Sequence, residues 1–441
     1  MKSFHPKKKT KLKGDDIIKR PSKKPDELYK PLLDKGLEHA QIQYLAEYFD
    51  LSKVSWLSRK TSKMFNSLMD EYEKSIGIKR LYPGDLKVSR LGKSLVLPLC
   101  PTSLLENLAR GERMEEAFDK HCDYLLDVLK KSFPNATISD VHILVNQRSL
   151  LPCRRQKSRP GVPMPPLDIN ALIKSLPQVN LKNSIVPAAI RETIVSSLLP
   201  DGVCSERANA IVDALSRIRN NFCPLLSDLQ SGQVVWTSIS VKDRQQDDFY
   251  NMFRHQVPVI LTLYTPEEIV LLTQPNITLK LINELHRRRI ARMCFEAYRQ
   301  GGLLSTLDLQ MLVMRSRATI CRLINEFEQA NNIIIPTPGS IKDAGRKFTH
   351  KHIVIDLHLQ GYLTKEIAQK TYHSGPSVDR YIDGFLRVMA LELFNVPPRL
   401  IARTTHMGLS LVEEYHSIIK EHFADKKVLQ DHLRKHGVEI S

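Results

Sequence analysis

Three times in the C-terminal part of the chain an apolar residue is followed, at +11 and +14, by two more: Leu309, Ile320 and Leu323; Ile367, Val378 and Tyr381; Ile401, Val412 and Tyr415. This spacing suits one anchor early in a short helix and two anchors a turn apart on a second helix, so that the pair packs across a tight turn. The second and third sets also share Ile-Ala, Thr371/Thr405, Val and Tyr at a constant offset of 34 residues. Ala368 and Ala402 beside the first anchors let the two helices approach. The pattern predicts three helix-turn-helix units. The first runs Leu307–Met314, breaks at Arg315–Arg317 and resumes at Ala318–Gln329, opened by a capping box of Ser305 and Asp308. The second has Thr364 as N-cap and its turn at His373–Pro376; the third turns at Met407–Leu409.

Ahead of these units the chain reads as mixed. Helical spacing occupies 26–75, Glu115–Phe133 and much of Ile169–Phe222, and a long helix is predicted over Leu279–Arg299, with Thr278 as N-cap and Gly301-Gly302 as its stop. Strands are expected around Leu95–Leu99, at Val141–Val145, and over the Val/Ile/Thr-rich runs Gln233–Val241 and Val257–Tyr264. Leu97–Leu104 and Leu261–Ile269 each run from strand through proline into helix, the trace of an internal duplication. The predicted fold class is mainly α with small β elements, multidomain, with a winged helix-turn-helix and a tandem helix-turn-helix at the C-terminal end. The expected divisions are a basic disordered tail (1–25), a mostly helical domain (26–152), a Pro/Arg-rich linker (153–167), an α+β domain (168–277), the winged unit (278–360) and the tandem pair (361–441).

Composition excludes several classes. Hydrophobic residues make up 42% and charged residues 26% of 441, an ordinary globular balance. No run approaches the roughly 18 apolar residues of a membrane span, and the lysine-rich start has no apolar segment of a secretory signal behind it. Seven scattered cysteines without a CxxC pair argue for a reducing cytoplasm and against a disulfide framework or structural zinc. The net charge of +17 makes polyanions the first partner class. Residues 1–24 hold ten Lys and Arg against Asp15 and Asp16, and 281–441 hold 23 against 17 acids.

In the first unit Arg315, Ser316, Arg317, Thr319 and Arg322 occupy the turn and the start of the second helix, where arginine reads guanine or grips phosphate. In the second, His373, Ser374, Ser377 and Arg380 stand there, tempered by Asp379 and Asp383. The third offers Ser410 with Glu413 and Glu414; phosphate repels such a face, so an architectural role is expected. Between the first two units, Ile333–Ile335 suits a short strand. Pro336, Pro338 and Gly339 suit a turn, and Lys342, Arg346, Lys347, His350, Lys351 and His352 form a basic stretch. Together they read as a wing, with Lys342, Arg346 and Lys351 along the phosphate backbone.

The segments Glu296–Leu309 (EAYRQGGLLSTLDL), Ile335–His350 (IPTPGSIKDAGRKFTH), His373–Tyr381 (HSGPSVDRY), Ser231–Ser240 (SGQVVWTSIS) and Val257–Ile269 (VPVILTLYTPEEI) carry a resemblance. Over about residues 225–420 the chain resembles an uncharacterised prokaryotic family, a domain of unknown function with predicted helix-turn-helix units. The resemblance implies a DNA-binding regulator with a link to mobile elements, and neither a reaction nor a ligand. The family's H-S-x-x-x-V-D-R-Y is met by His373, Ser374, Val378, Asp379, Arg380 and Tyr381. Its loop often carries Arg where Thr337-Pro338-Gly339 stand, so one cation of the wing is missing here.

Chemistry is sparse. His286-Arg287-Arg288-Arg289 matches the H-x-x-R of tyrosine recombinases, but Tyr298 follows too closely to be a nucleophile and Tyr362 and Tyr372 fall inside the helical units. His350 and His352 suit one side of a strand as metal ligands but have no companions. His121 and Cys122, adjacent on a helix, cannot bond one another. Phosphate-binding glycine loops are absent, and Asp140, Asp201, Asp248 and Glu268 define no carboxylate triad. The expectation is a cytoplasmic transcriptional regulator that reads double-stranded DNA, with no catalysis, no metal and no cofactor, a homodimer being an open option. A transposase or recombinase using these units for targeting, and a helical interaction scaffold, are the alternatives.

Overall fold

A computed structural model of the chain describes residues 24–51, 55–90, 92–146, 185–242, 256–274, 278–341, 348–423 and 425–438. The expected linker 153–167, most of the basic tail, Asp248, Lys342, Arg346 and Lys347 lie outside these residues. The described chain is mainly helical around one small antiparallel sheet.

Helices α1 (Pro25–Leu33), α2 (Leu37–Tyr48) and α3 (Ser55–Ser75) precede the hairpin of β1 (Asp85–Arg90) and β2 (Lys93–Pro98). Then follow α4 (Thr102–Ala109), α5 (Met114–Ser132) and α6 (Ile138–Val141). The strand expected at Val141–Val145 is absent. The Thr137 amide and hydroxyl both bond the Asp140 carboxylate, which starts a helix there, and His142–Asn146 continue it as a π-turn. Beyond the undescribed stretch come α7 (Ala188–Leu198), α8 (Ser205–Phe222), β3 (Gln233–Ser240), β4 (Gln256–Thr262), α9 (Pro266–Leu272), α10 (Leu279–Arg299) and the two-residue β5 (Gly302–Leu303).

The strands lie in the order β2-β1-β3-β4, with β5 pairing the end of β3. Elements from the expected 26–152 and 168–277 segments thus share one sheet, Leu86 of β1 standing opposite Val234 of β3. Every residue of β3 is buried, Gln233, Ser238 and Ser240 included, as befits a central strand. Gly302 permits β5 to approach: a Cβ there would stand 1.9 Å from Ser238 Oγ.

Among the described residues the edge of β4 has no further strand. Side chains of α10 and its C-cap serve instead. Ile260 N donates to Gln300 Oε1 at 2.9 Å, and Gln300 Nε2 donates back to Ile260 O at 2.8 Å. Thr262 N donates to Glu296 Oε2 at 2.6 Å, and Arg292 Nε donates to Thr262 O at 3.2 Å. Residues 292, 296 and 300 are spaced by four, so one helix face supplies the whole ladder. Arg292 and the fully buried Arg289 also grip Glu268, at 2.7 and 3.0 Å, and Glu268 with Thr265 forms the capping box of α9.

From Ser305 onward six helices form three pairs of one build: α11 (Thr306–Val313) with α12 (Arg317–Asn331), α15 (Thr364–Thr371) with α16 (Gly375–Leu393), and α17 (Pro398–Thr405) with α18 (Leu409–His422). Each first helix has eight residues and ends on a left-handed residue, Met314, Tyr372 or His406, with φ of 49°, 57° and 56°. Two more residues complete each turn, one position earlier in the chain than the sequence reading had it. Thr364 is correspondingly the first residue of α15 rather than its cap; its hydroxyl donates to Asp379 instead. All nine anchors are buried except Tyr381, which is half-buried. The α11–α12 pair packs in the core of the sheet, whereas the other two pairs, with α14 (Phe348–Leu359) and α19 (Lys426–Lys435), enclose a second core. Tyr415 Oη donates to the carbonyl of Tyr381, so the second and third pairs meet through equivalent tyrosines.

The expected wing strand is also absent. Ile333–Ile335 run irregularly because Glu328 accepts the Ile335 N–H at 2.9 Å, and α13 (Pro338–Ile341) follows, pinned by the Ser340 hydroxyl donating to Ile335 O at 2.7 Å.

Two tests follow from the α10 face. Gln300→Ala strands the Ile260 N–H and C=O, a loss of about 2 kcal/mol or more, read as a lower denaturant midpoint and faster exchange of the Ile260 amide. Although burial opposes its charge, Arg289 and Arg292 hold the Glu268 carboxyl down to about 2 from an ordinary 4.5. Its stabilisation is therefore complete above pH 4.5 and lost as pH falls toward 2. Denaturant midpoints measured across that interval should converge for wild type and Glu268→Gln, the variant being weaker by about 3 kcal/mol at neutral pH.

Candidate nucleic-acid interface

Superimposing the three pairs by sequence, at offsets of 58 and 34 residues, aligns their turns and second helices position by position. The left-handed residue comes first. The next position holds Arg315, His373 or Met407 and turns inward in each pair. Arg315, half-buried, lies 3.3 Å from His286 Nε2 through its Nη2. His373 is only 9% exposed; its Nδ1 donates to Thr371 O at 2.7 Å and its ring stands against Tyr381. The expectation of His373 as a duplex contact is therefore corrected, since its ring is buried against the protein, while Arg315 is half-buried and leans on His286.

The third turn position caps the second helix. Ser316 accepts from Thr319 N, and Ser374 accepts from Ser377 N, with hydroxyl–hydroxyl contacts of 3.0 and 2.9 Å between the same residues. Three positions further, Arg322 and Arg380 are both exposed. The first two pairs thus share Ser-x-x-Thr/Ser-x-x-Arg, with cap, hydroxyl and guanidinium emerging together on the solvent side. Arg317, exposed in the first turn of α12, makes no ion pair with a described residue. Arg322 pairs with Glu326 at 2.6 Å, and Arg287 approaches the same carboxylate at 3.7 Å. Arg380 instead donates to Ser377 Oγ at 3.2 Å, since the residue equivalent to Glu326 is Gly384.

The third pair departs. Gly408 replaces the serine cap, Leu411 the hydroxyl and Glu414 the arginine. Glu414 is half-buried, and burial, opposed by Lys351 and His352 of α14, pushes its carboxyl up to about 7. Lys351 is half-buried on α14 with its Nζ 5.6 Å from the Tyr381 ring, so it does not lie on an open wing. Of the other expected wing cations, Lys342 and Arg346 lie outside the described residues.

The resemblance segment Glu296–Leu309 contributes a structural tie. Asp308, fully buried, accepts from Ser305 N and Oγ, from Trp236 Nε1 at 3.0 Å and from Lys35 Nζ at 2.7 Å, tying α11 to the sheet and to the segment after α1. Sequence reasoning found the capping box but not these long-range partners, for which no local signal exists.

The residues weighed for catalysis are dispersed. His286 is buried at α11–α12 and burial lowers its pKa; His121 Nε2 donates to Leu99 O. Asp140 caps α6, Asp201 faces Lys60, and Glu268 is held by its arginines. His352 pairs with Asp356 at 2.9 Å along a helix, not across a strand. Among the described residues no helix is long and apolar enough to cross a membrane.

No curated protein and no solved structure matches the chain. One family model does. Residues 205–418, from the first residue of α8 to the last turn of α18, match the family described as "Protein of unknown function (DUF1670)".

Proposed function

We propose that the protein binds double-stranded DNA through the second helices of its first two helix pairs, acting as helix-turn-helix units, and that it serves as a transcriptional regulator. The observation that carries this reading is the shared Ser-x-x-Thr/Ser-x-x-Arg at the start of α12 and α16, with Arg322 and Arg380 exposed at the same position and Arg317 beside the first cap. A helix N-terminus with free amides, a serine hydroxyl and a guanidinium one turn on suits a phosphate and the neighbouring base edge together. The surplus of cations over acids, largest in residues 1–24, supports the same class of partner. The third pair, with Glu414 in the arginine position and packed on α14, fits an architectural role. Ser316 and Ser374 cap the helices; the Ser374 hydroxyl donates to Ser377 Oγ, which leaves the Ser377 hydroxyl, and Thr319 at the equivalent position, to donate to phosphate.

The test is selection of duplex fragments from a random-sequence pool by the full chain, followed by affinity measurements. Arg317→Ala, Arg322→Ala and Arg380→Ala should each weaken binding about 5- to 100-fold, and each should reduce the slope of log affinity against log salt by about 1. Glu414→Ala should leave affinity unchanged. Failure to bind duplex even at low salt would reject the reading. Arg322→Ala is expected to cost less than Arg380→Ala, since Glu326 already holds Arg322.

A further inference from the structure

The last helix, α19, turns one face inward through Leu429 and Leu433, and on that face stand His432 and, one turn later, His436. His358, near the end of α14, meets them. The ring centroids lie 4.6 Å apart for His432 and His436, 4.7 Å for His358 and His436, and 6.0 Å for His358 and His432. One ligating nitrogen from each lies within 4.8 Å of the others. The Nε2 atoms of His358 and His432 are buried and have no hydrogen-bond partner among the described residues, an arrangement that ordinarily costs stability.

We propose that His358, His432 and His436 form a binding site for a transition-metal dication, with Zn²⁺ the first choice. His432 in the last turn of α19 and His436 at its C-cap stand four residues apart on the same side, and a third imidazole from a facing helix completes three corners of a tetrahedron. Bound Zn²⁺ at about 2.0–2.1 Å from each nitrogen would draw the three to roughly 3.4 Å apart, a side-chain adjustment within reach of the present spacing. An all-imidazole donor set selects Zn²⁺, Cu²⁺, Ni²⁺ or Co²⁺ over Mg²⁺ and Ca²⁺, which prefer oxygen. His436 is exposed, so solvent can supply a fourth ligand. The ion would staple α19 to the end of α14, which leads directly into α15 and the second helix pair. It is independent of the DNA reading: either can fail without the other.

The experiment is calorimetric titration of the full chain, freed of metal by chelation, with Zn²⁺, together with Co²⁺ absorption and thermal unfolding. Wild type should bind one Zn²⁺ per chain, develop the visible bands of tetrahedral Co²⁺ and unfold at a higher temperature with metal. His436→Ala, an exposed substitution compatible with folding, should weaken Zn²⁺ binding by more than the roughly 10- to 100-fold of an outer-shell change and abolish both other responses. His39→Ala, an exposed histidine elsewhere, should change none of them. Wild type that takes up no Zn²⁺, or His436→Ala that binds it as wild type does, would overturn the proposal.

Discussion

The architecture depends on how the edge of β4 is closed. An exposed strand edge beside a hydrophobic core leaves amides and carbonyls without water or partners, and each such group costs about 1–3 kcal/mol. Here Gln300, Glu296 and Arg292 bond the outward groups of Ile260 and Thr262 in the way a further strand would. Because these residues share one face of α10, satisfying the edge also fixes that helix against the sheet. The turn at Gly301-Gly302 and the capping of α11 by Ser305 and Asp308 then follow at a set distance. The first helix pair is thereby held by the sheet, not merely tethered to it.

The three pairs show what a repeated build constrains and what it leaves free. Eight-residue first helices, a left-handed closing residue and buried anchors recur in all three. The inward position of the turn accepts Arg, His or Met, because neighbours differ: His286 receives Arg315, a backbone carbonyl receives His373, and Met407 touches Gly384. Divergence falls on the solvent side. Two pairs expose hydroxyl and guanidinium, and the third places Glu414 against Lys351 and His352.

Much of this was legible from residue spacing. The anchors at 309, 320 and 323 and their two counterparts, the bounds and cap of the helix at Leu279–Arg299, and both long strands follow from periodicity and capping chemistry, which are local. Turn positions were off by one, since apolar spacing fixes which faces meet but not where the left-handed residue falls. Val141–Val145 and Ile333–Ile335 read as strands because β-branched residues favour them, yet an Asp140 cap and the Glu328 carboxylate redirected the backbone. His373 reads as a contact because a polar ring suggests exposure; only its tertiary packing shows otherwise. The sharing of one sheet by β1 and β3, and the meeting of His358 with His432 and His436, join residues dozens to more than a hundred positions apart, for which a single sequence holds no signal. The spacing of His432 and His436 was visible but stands in an otherwise ordinary basic helix.

The most direct measurement is amide hydrogen exchange of the full chain with and without a duplex recovered from a random pool. The account predicts slowed exchange in the turns and first turns of α12 and α16, around 314–322 and 372–380, with little change in the equivalent stretch 406–414. Protection confined to the third pair, or to surfaces away from all three, would contradict it.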